Sequence, residues 1–142
     1  MNFEIVAFSD EYIDDLRELF LQSRRDTFTW ADPLTFQPED FDQSVAGESI
    51  LVALIENNPV GFISWWPPDN FIHNLFMASD FHDQGIGKAL LSHCLSQISR
   101  PAKLKCLTAN LNAMEFYRRQ GWTLENVGMS GEGEFGVWVL EE

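Results

Sequence analysis

Residues 81–91, FHDQGIGKALL, constrain the fold more than any other stretch. Gly85 and Gly87 bracket one apolar residue, and an apolar run follows at helical spacing: Ile86, Ala89, Leu90, Leu91, Cys94, Leu95, Ile98. A helix therefore starts at the glycines. Residues 71–77, FIHNLFM, are short and mostly apolar, as a buried strand is. Strand, glycine turn and helix N-terminus form an anion-binding arrangement. The first helical N–H groups lack partners within the helix, and the helix dipole adds positive potential. Glycine removes the Cβ that would hold an anion off the backbone. Two common phosphate motifs fail here. A P-loop needs glycine at 82 and Ser or Thr at 89, where the chain has His82 and Ala89. The dinucleotide fingerprint needs glycine at 90, which is Leu90.

The flanking chain reads as mixed α/β. Residues 3–8 form a first strand, and Ser9 or Asp10 caps a helix from 11 to about 24, with Tyr12, Ile13, Leu16, Leu19 and Phe20 on one face. Residues 26–37 are irregular, and Pro38 opens a short helix with Glu39 and Asp40 in its first turn. Residues 49–56 and 60–66 are strands joined by a turn at Asn57, Asn58 and Pro59. The central helix runs until Pro101 stops it, and residues 103–108 are the next strand. The strand–helix–strand unit from 71 to 108 predicts a parallel, right-handed crossover. Asn110 caps a helix to Gln120 that stops at Gly121. Residues 122–127 and 135–140 pair around a glycine-rich turn at 128–133. No repeat, linker or low-complexity segment appears, so 1–142 is expected to be one domain.

Charge narrows the partners. The chain carries a net −13, which disfavours nucleic acid. Residues 1–80 hold 15 acids and 3 bases, whereas residues 81–125 hold 3 acids and 6 bases. The basic segment is the one with the glycine turn. That suits a polyanionic cofactor there and a cationic partner elsewhere, unless the asymmetry is only a solvated surface. No run approaches the ~20 apolar residues that span a bilayer, and no basic-then-apolar leader opens the chain. The two cysteines, Cys94 and Cys106, have no metal-type spacing and read as buried thiols. The expectation is a cytoplasmic protein, a monomer or a homodimer, with no membrane and no metal.

A second motif adds the family. Residues 82–87 (HDQGIG) resemble the acetyl-CoA loop Q/R-x-x-G-x-G/A of the GNAT N-acetyltransferases, with His82 departing at the first position. Residues 110–122, NLNAMEFYRRQGW, are similar to that family's N-x-x-A-x-x-F/L-Y-x-x-x-G-F/W, through Asn110, Ala113, Phe116, Tyr117, Gly121 and Trp122. Both occur in the family's order, one helix and one strand apart. The resemblance implies a mixed, mostly antiparallel sheet of about seven strands, splayed at the central strand and flanked by about four helices. It further implies that the pantetheine of acetyl-CoA pairs with Leu75, Phe76 and Met77. Asp83, Gln84, Gly85, Ile86, Gly87 and Lys88 would then hold the pyrophosphate. Asn110 would contact the cofactor, and Tyr117 would sit beside the sulfur as the catalytic acid. The implied reaction is acetyl transfer to a primary amine of a small molecule or peptide. The competing reading is a non-catalytic acyl-CoA-binding or sensing module of the same fold.

The attacking amine must be neutral, and an alkyl ammonium has a pKa of about 10.4, so a base or water relay is needed. Some relatives carry glutamate five residues before the motif asparagine; here that place is Lys105. His73, on the central strand, is the substitute candidate, against a packed or hydrogen-bonded histidine. His82 is expected in the loop and His93 on the helix surface. Phe28, Trp30, Trp65 and Trp66 are acceptor-pocket candidates or core. Trp65 and Trp66, adjacent on a strand, must face opposite sides.

Overall fold

The computed structural model describes residues 2–27, 36–78, 81, 85–131 and 133–142. The strands are β1 (Glu4–Ala7), β2 (Ser49–Ile55), β3 (Asn58–Trp66), β4 (Phe71–Met77), β5 (Ala102–Leu107), β6 (Thr123–Ser130) and β7 (Gly133–Leu140). The helices are α1 (Ile13–Thr27), α2 (Asp40–Ser44), α3 (Ile86–Leu95) and α4 (Leu111–Arg119). One seven-stranded sheet runs β1-β2-β3-β4-β5-β7-β6. Every pair is antiparallel except β4 with β5. That parallel pair is the one the strand–helix–strand unit predicts.

Helices cover both faces of the sheet, so β2 and most of β3 are apolar on both sides. In β2, Leu51, Ala53 and Ile55 pack toward Ile86, Leu90 and Cys94 of α3. The alternate residues Val52 and Leu54 pack toward Leu16, Leu19 and Phe20 of α1 and Phe41 of α2. Four phenylalanines bind the second face together. Phe62 lies with its ring centroid 5.3 Å from Phe41, 5.8 Å from Phe76 and 6.1 Å from Phe20. Two ion pairs staple α1 to α2: Arg17 Nε donates to Asp42 Oδ1 at 2.9 Å, and Arg24 Nη1 to Asp40 Oδ2 at 3.1 Å. Among the described residues, no helix is long and apolar enough to cross a membrane.

Several boundaries differ from the sequence expectations for identifiable reasons. The β2–β3 turn is Glu56-Asn57, both at positive φ, and Asn58 and Pro59 belong to β3. Two left-handed central residues match the strand twist, which a turn over 57–59 would not. The helix α1 continues to Thr27, past the expected end near Arg24, and α2 starts at Asp40, after a turn at Pro38 and Glu39. The helix α3 stops at Leu95, well before Pro101. Ser96 Oγ donates to the His93 carbonyl, and Arg100 Nη1 to the carbonyls of Leu95 and Ile98, so side chains satisfy the helix end. The glycine-rich stretch 128–133 is mostly strand, since β6 runs to Ser130 and β7 starts at Gly133. A Cβ on Gly128 would stand 2.7 Å from Cζ of Phe135. That glycine admits a cross-strand ring rather than a turn.

Candidate active site

The site begins where the sheet parts. The parallel pair β4–β5 holds only Phe71 against Lys103 and Ile72 against Leu104. Beyond those pairs the strands diverge. The edge of β4 that faces β5 is left without a strand partner from His73 to Met77, while β3 pairs the opposite edge. The opening is a cleft of about 680 Å³. Leu75, Phe76, Cys106, Leu107, Asn110 and Tyr117 line it, and Arg24, Asp40, His73 and Lys105 add ionisable groups.

A bulge re-aims the middle of β4. Ser64 pairs with Asn74 and Trp65 with Ile72, so His73 is an extra residue without a partner on β3. The side chains of His73 and Asn74 both reach toward α2 and the segment after it. His73 Nδ1 lies 2.9 Å from Glu48 Oε2. Asn74 Nδ2 donates to Ser44 Oγ and to the buried Ser64 Oγ, each at 2.9 Å. Only 8% of the Glu48 side chain is exposed, and its Oε1 is buried with no protein partner. An unpaired buried acceptor costs about 1–3 kcal/mol, more when charged. Glu48, Ser44, Ser64 and Asn74 escape sequence reasoning. The one available mark is the adjacent polar pair His73-Asn74 in an otherwise apolar strand.

Tyr117 projects from α4 into the floor of the cleft. Its ring meets Phe116 and Trp122 edge-on, with centroids 5.2 and 6.0 Å away. Burial, and then the neighbouring Cys106 thiol, raise its pKa well above the ordinary phenol value. It therefore remains an O–H donor through the neutral range. Burial also pushes Cys106 up to about 11, and Cys94 up to about 12 against a smaller opposing effect of Arg100. All three groups stay protonated in the folded protein while free thiols titrate from about 8.5. The unfolded chain then binds fewer protons than the native one, so stability falls as pH rises above that value. Urea midpoints should drop between pH 7 and pH 10, less steeply in Cys94→Ala. Equal midpoints at the two pH values would contradict this.

The remaining candidates sort by position. Asn110 lines the cleft, and its Oδ1 accepts from the Ala113 N–H at 3.2 Å, which caps α4. Gly85 caps α3 at φ +80, with open space where a Cβ would stand. The first helical bond runs from Ala89 N to Gly85 O, so the N–H groups of Ile86, Gly87 and Lys88 have no partner inside the helix. A Cβ on Gly87 would stand 2.9 Å from Cε of Met77, so this glycine lets Met77 pack on α3. Leu75 and Phe76 line the cleft, but Met77 is not among its lining residues. Asp83, Gln84 and His82 lie outside the described residues, as do Phe28 and Trp30. His93 sits on the surface of α3, its Nδ1 2.8 Å from the Ala89 carbonyl oxygen. Trp65 is core and Trp66 is exposed over Gly47, and neither lines the cleft. Among the described residues, Phe20, Phe76, Tyr117 and Phe135 supply the cleft's aromatic lining, while Trp65 packs on the α3 side. Lys105 lines the cleft, and its Nζ lies 4.6 Å from the Phe135 ring centroid.

Solved structures share this architecture. The PaiA N-acetyltransferase of Thermoplasma acidophilum, in complex with coenzyme A, superimposes with a TM-score of 0.82 at 19% identity, over 100% of both chains. The apo form of YjaB from Escherichia coli gives 0.81 at 18% identity, over 98% of this chain and 97% of that one. The ribosomal-protein-S18-alanine N-acetyltransferase of Escherichia coli gives 0.78 at 14% identity, over 99% and 94%. At these identities the likeness establishes the fold. None of the curated proteins matches in sequence. The sequence model described as the Acetyltransferase (GNAT) family matches residues 11–122, most of the chain. The seven-stranded mixed sheet, its parted centre and this match together make the chain a member of the GNAT family of acetyltransferases.

Proposed function

We propose that the protein transfers the acetyl group of acetyl-CoA to a primary amine of a small molecule or peptide, by direct attack in a ternary complex. The observation that carries this reading is the parting of β4 from β5 beside a helix that opens on glycines. The free edge of β4 at Leu75, Phe76 and Met77 offers backbone groups to the pantetheine amides. The pyrophosphate is assigned to Asp83, Gln84, Gly85, Ile86, Gly87 and Lys88. Asn110 borders the cofactor, and no metal is required.

In the reaction the amine nitrogen bonds to the thioester carbon, the C–S bond breaks, and coenzyme A leaves as the thiolate. A backbone N–H on the open edge of β4 stabilises the oxyanion. His73 is assigned as the base that takes the amine proton, and Tyr117 as the donor to the departing sulfur. Incubating the purified protein with acetyl-CoA and an amine library, with thiol release as the readout, tests the activity. Acetyl-CoA binding without thiol release from any amine would favour a sensing module.

Gly85→Val tests the phosphate assignment. A branched side chain there fills the open space before α3, and a helix N-terminus contributes up to ~2 kcal/mol to anion binding. Acetyl-CoA affinity should fall by about tenfold or more, where each tenfold is 1.4 kcal/mol. A folded Gly85→Val protein with unchanged calorimetric Kd removes the assignment. Thermal unfolding of the same sample separates this from strain at φ +80.

The acceptor is read as cationic when free, drawn by the 15 acids of residues 1–80. KM for a cationic amine should then rise with salt, since screening shortens to about 8 Å at 0.15 M. A salt-independent KM, or preference for an acidic amine, counts against that charge argument. We place the enzyme in the cytoplasm, as one domain acting as a monomer or homodimer.

A further inference from the structure

We propose that Glu48 is a positioning residue for acetyl transfer: it holds His73 as the Nδ1–H tautomer and leaves Nε2 as the proton acceptor at the cleft. The inference rests on the reading of His73 as the base, which it deepens. Its ground is a geometry that the sequence motifs do not contain. Glu48 stands between α2 and β2, far in sequence from β4, and its carboxylate is almost wholly buried. Among the described residues, its one partner in hydrogen-bond range is His73 Nδ1, at 2.9 Å. An ionised carboxylate only accepts hydrogen bonds, so Nδ1 must carry the proton. In a neutral imidazole the lone pair is then on Nε2.

A purely structural staple explains this arrangement poorly. The second oxygen, Oε1, is buried without a partner among the described residues, so the carboxylate is desolvated for a single hydrogen bond. The residue at the other end of that bond is half-exposed, lies in the cleft wall, and is the extra residue of the β4 bulge. A buried acceptor fixing an exposed imidazole is the arrangement that orients a base. When His73 takes a proton of the acceptor ammonium on Nε2, the ring becomes a cation with Glu48 beside it. The carboxylate stabilises that charge as the amine attacks and the C–S bond breaks. Asn74, fixed by Ser44 and Ser64, holds the bulge in place beside it.

The imidazole nitrogens report the tautomer directly by long-range proton–nitrogen NMR. His93 is an internal reference, because its Nδ1 faces the Ala89 carbonyl, which also only accepts. In the wild type both rings should read as Nδ1–H. In Glu48→Ala, His73 should move toward the Nε2–H form while His93 stays. The kcat should fall by about 10–100-fold, the usual cost of losing an orienting partner, with KM for acetyl-CoA unchanged. Glu48→Gln, nearly isosteric, keeps a carbonyl that accepts from Nδ1–H and should restore the tautomer and part of kcat. It also covers the case in which Glu48→Ala does not fold. A His73 signal that stays Nδ1–H in Glu48→Ala, or an unchanged kcat there with activity lost in His73→Gln, overturns Glu48 alone. Wild-type kcat in His73→Gln overturns the base itself.

Discussion

Tyr117→Phe should lower kcat by about a hundredfold and leave the acetyl-CoA dissociation constant within about twofold of wild type. The substitution keeps the ring that packs against Phe116 and Trp122 and removes only the hydroxyl. Its chemistry limits the effect. A phenol at about 10 and a thiol at about 8.5 make full proton transfer to the thiolate uphill by roughly 2 kcal/mol, before any shift. Burial raises Tyr117 further and widens that gap. The hydroxyl therefore acts as a hydrogen-bond donor whose bond strengthens as charge grows on sulfur. Removing one such donor costs roughly 10²–10³ in kcat, and a neutral phenol belongs at the lower end. The contribution arises in the transition state, so affinity for the ground-state thioester is spared. Steady-state kinetics, calorimetry and thermal unfolding on one sample decide the matter. Normal turnover with a lowered Tm would make Tyr117 a core residue and reject its catalytic role.

The parts legible from sequence were those whose signals are local. The strand at 71–77, the glycine start of α3 and the Asn110 cap of α4 each carry a pattern within a few residues, and each stands where expected. Glycines misled where their reason was tertiary. Gly128 looks like a turn residue on its own, and only the fold brings the Phe135 ring against it. The tryptophan pair does face opposite sides, as adjacent strand residues must, with Trp65 in the core and Trp66 exposed; which of the two faces outward is set by tertiary pairing with β4. Glu48 carried no signal at all. Its carboxylate is buried only in the folded chain, and its partner is 25 residues away. His73 was legible as a candidate for its type and strand. What distinguishes an oriented base from an ordinary strand histidine was its missing cross-strand partner and its contact with a buried carboxylate.

Phe62→Ala should destabilise the protein by about 3–5 kcal/mol, the usual cost of emptying a buried phenylalanine site. Phe62 is fully buried on β3, and three aromatic rings from α1, α2 and β4 rest on it. The three neighbours sit on different elements, so the cavity cannot close by moving one side chain. That places the expected cost toward the upper end of the range. Against a typical total of 5–15 kcal/mol, this is a large fraction. A Tm drop of roughly 10–20 °C follows for a chain of this size. Phe62→Leu, which keeps most of the volume, should cost less than half as much. The substitution should also reach the site. Phe20 and Phe76, which flank Phe62, line the cleft, and Phe76 is assigned to the cofactor edge of β4. Loss of their support should raise KM for the acceptor more than it lowers kcat, since Tyr117 packs in the other core cluster, with Ile86, Leu90 and Trp122. A Tm within a few degrees of wild type would mean that the four rings do not act as one packed unit. The cleft wall would then owe its shape to the ion pairs between α1 and α2.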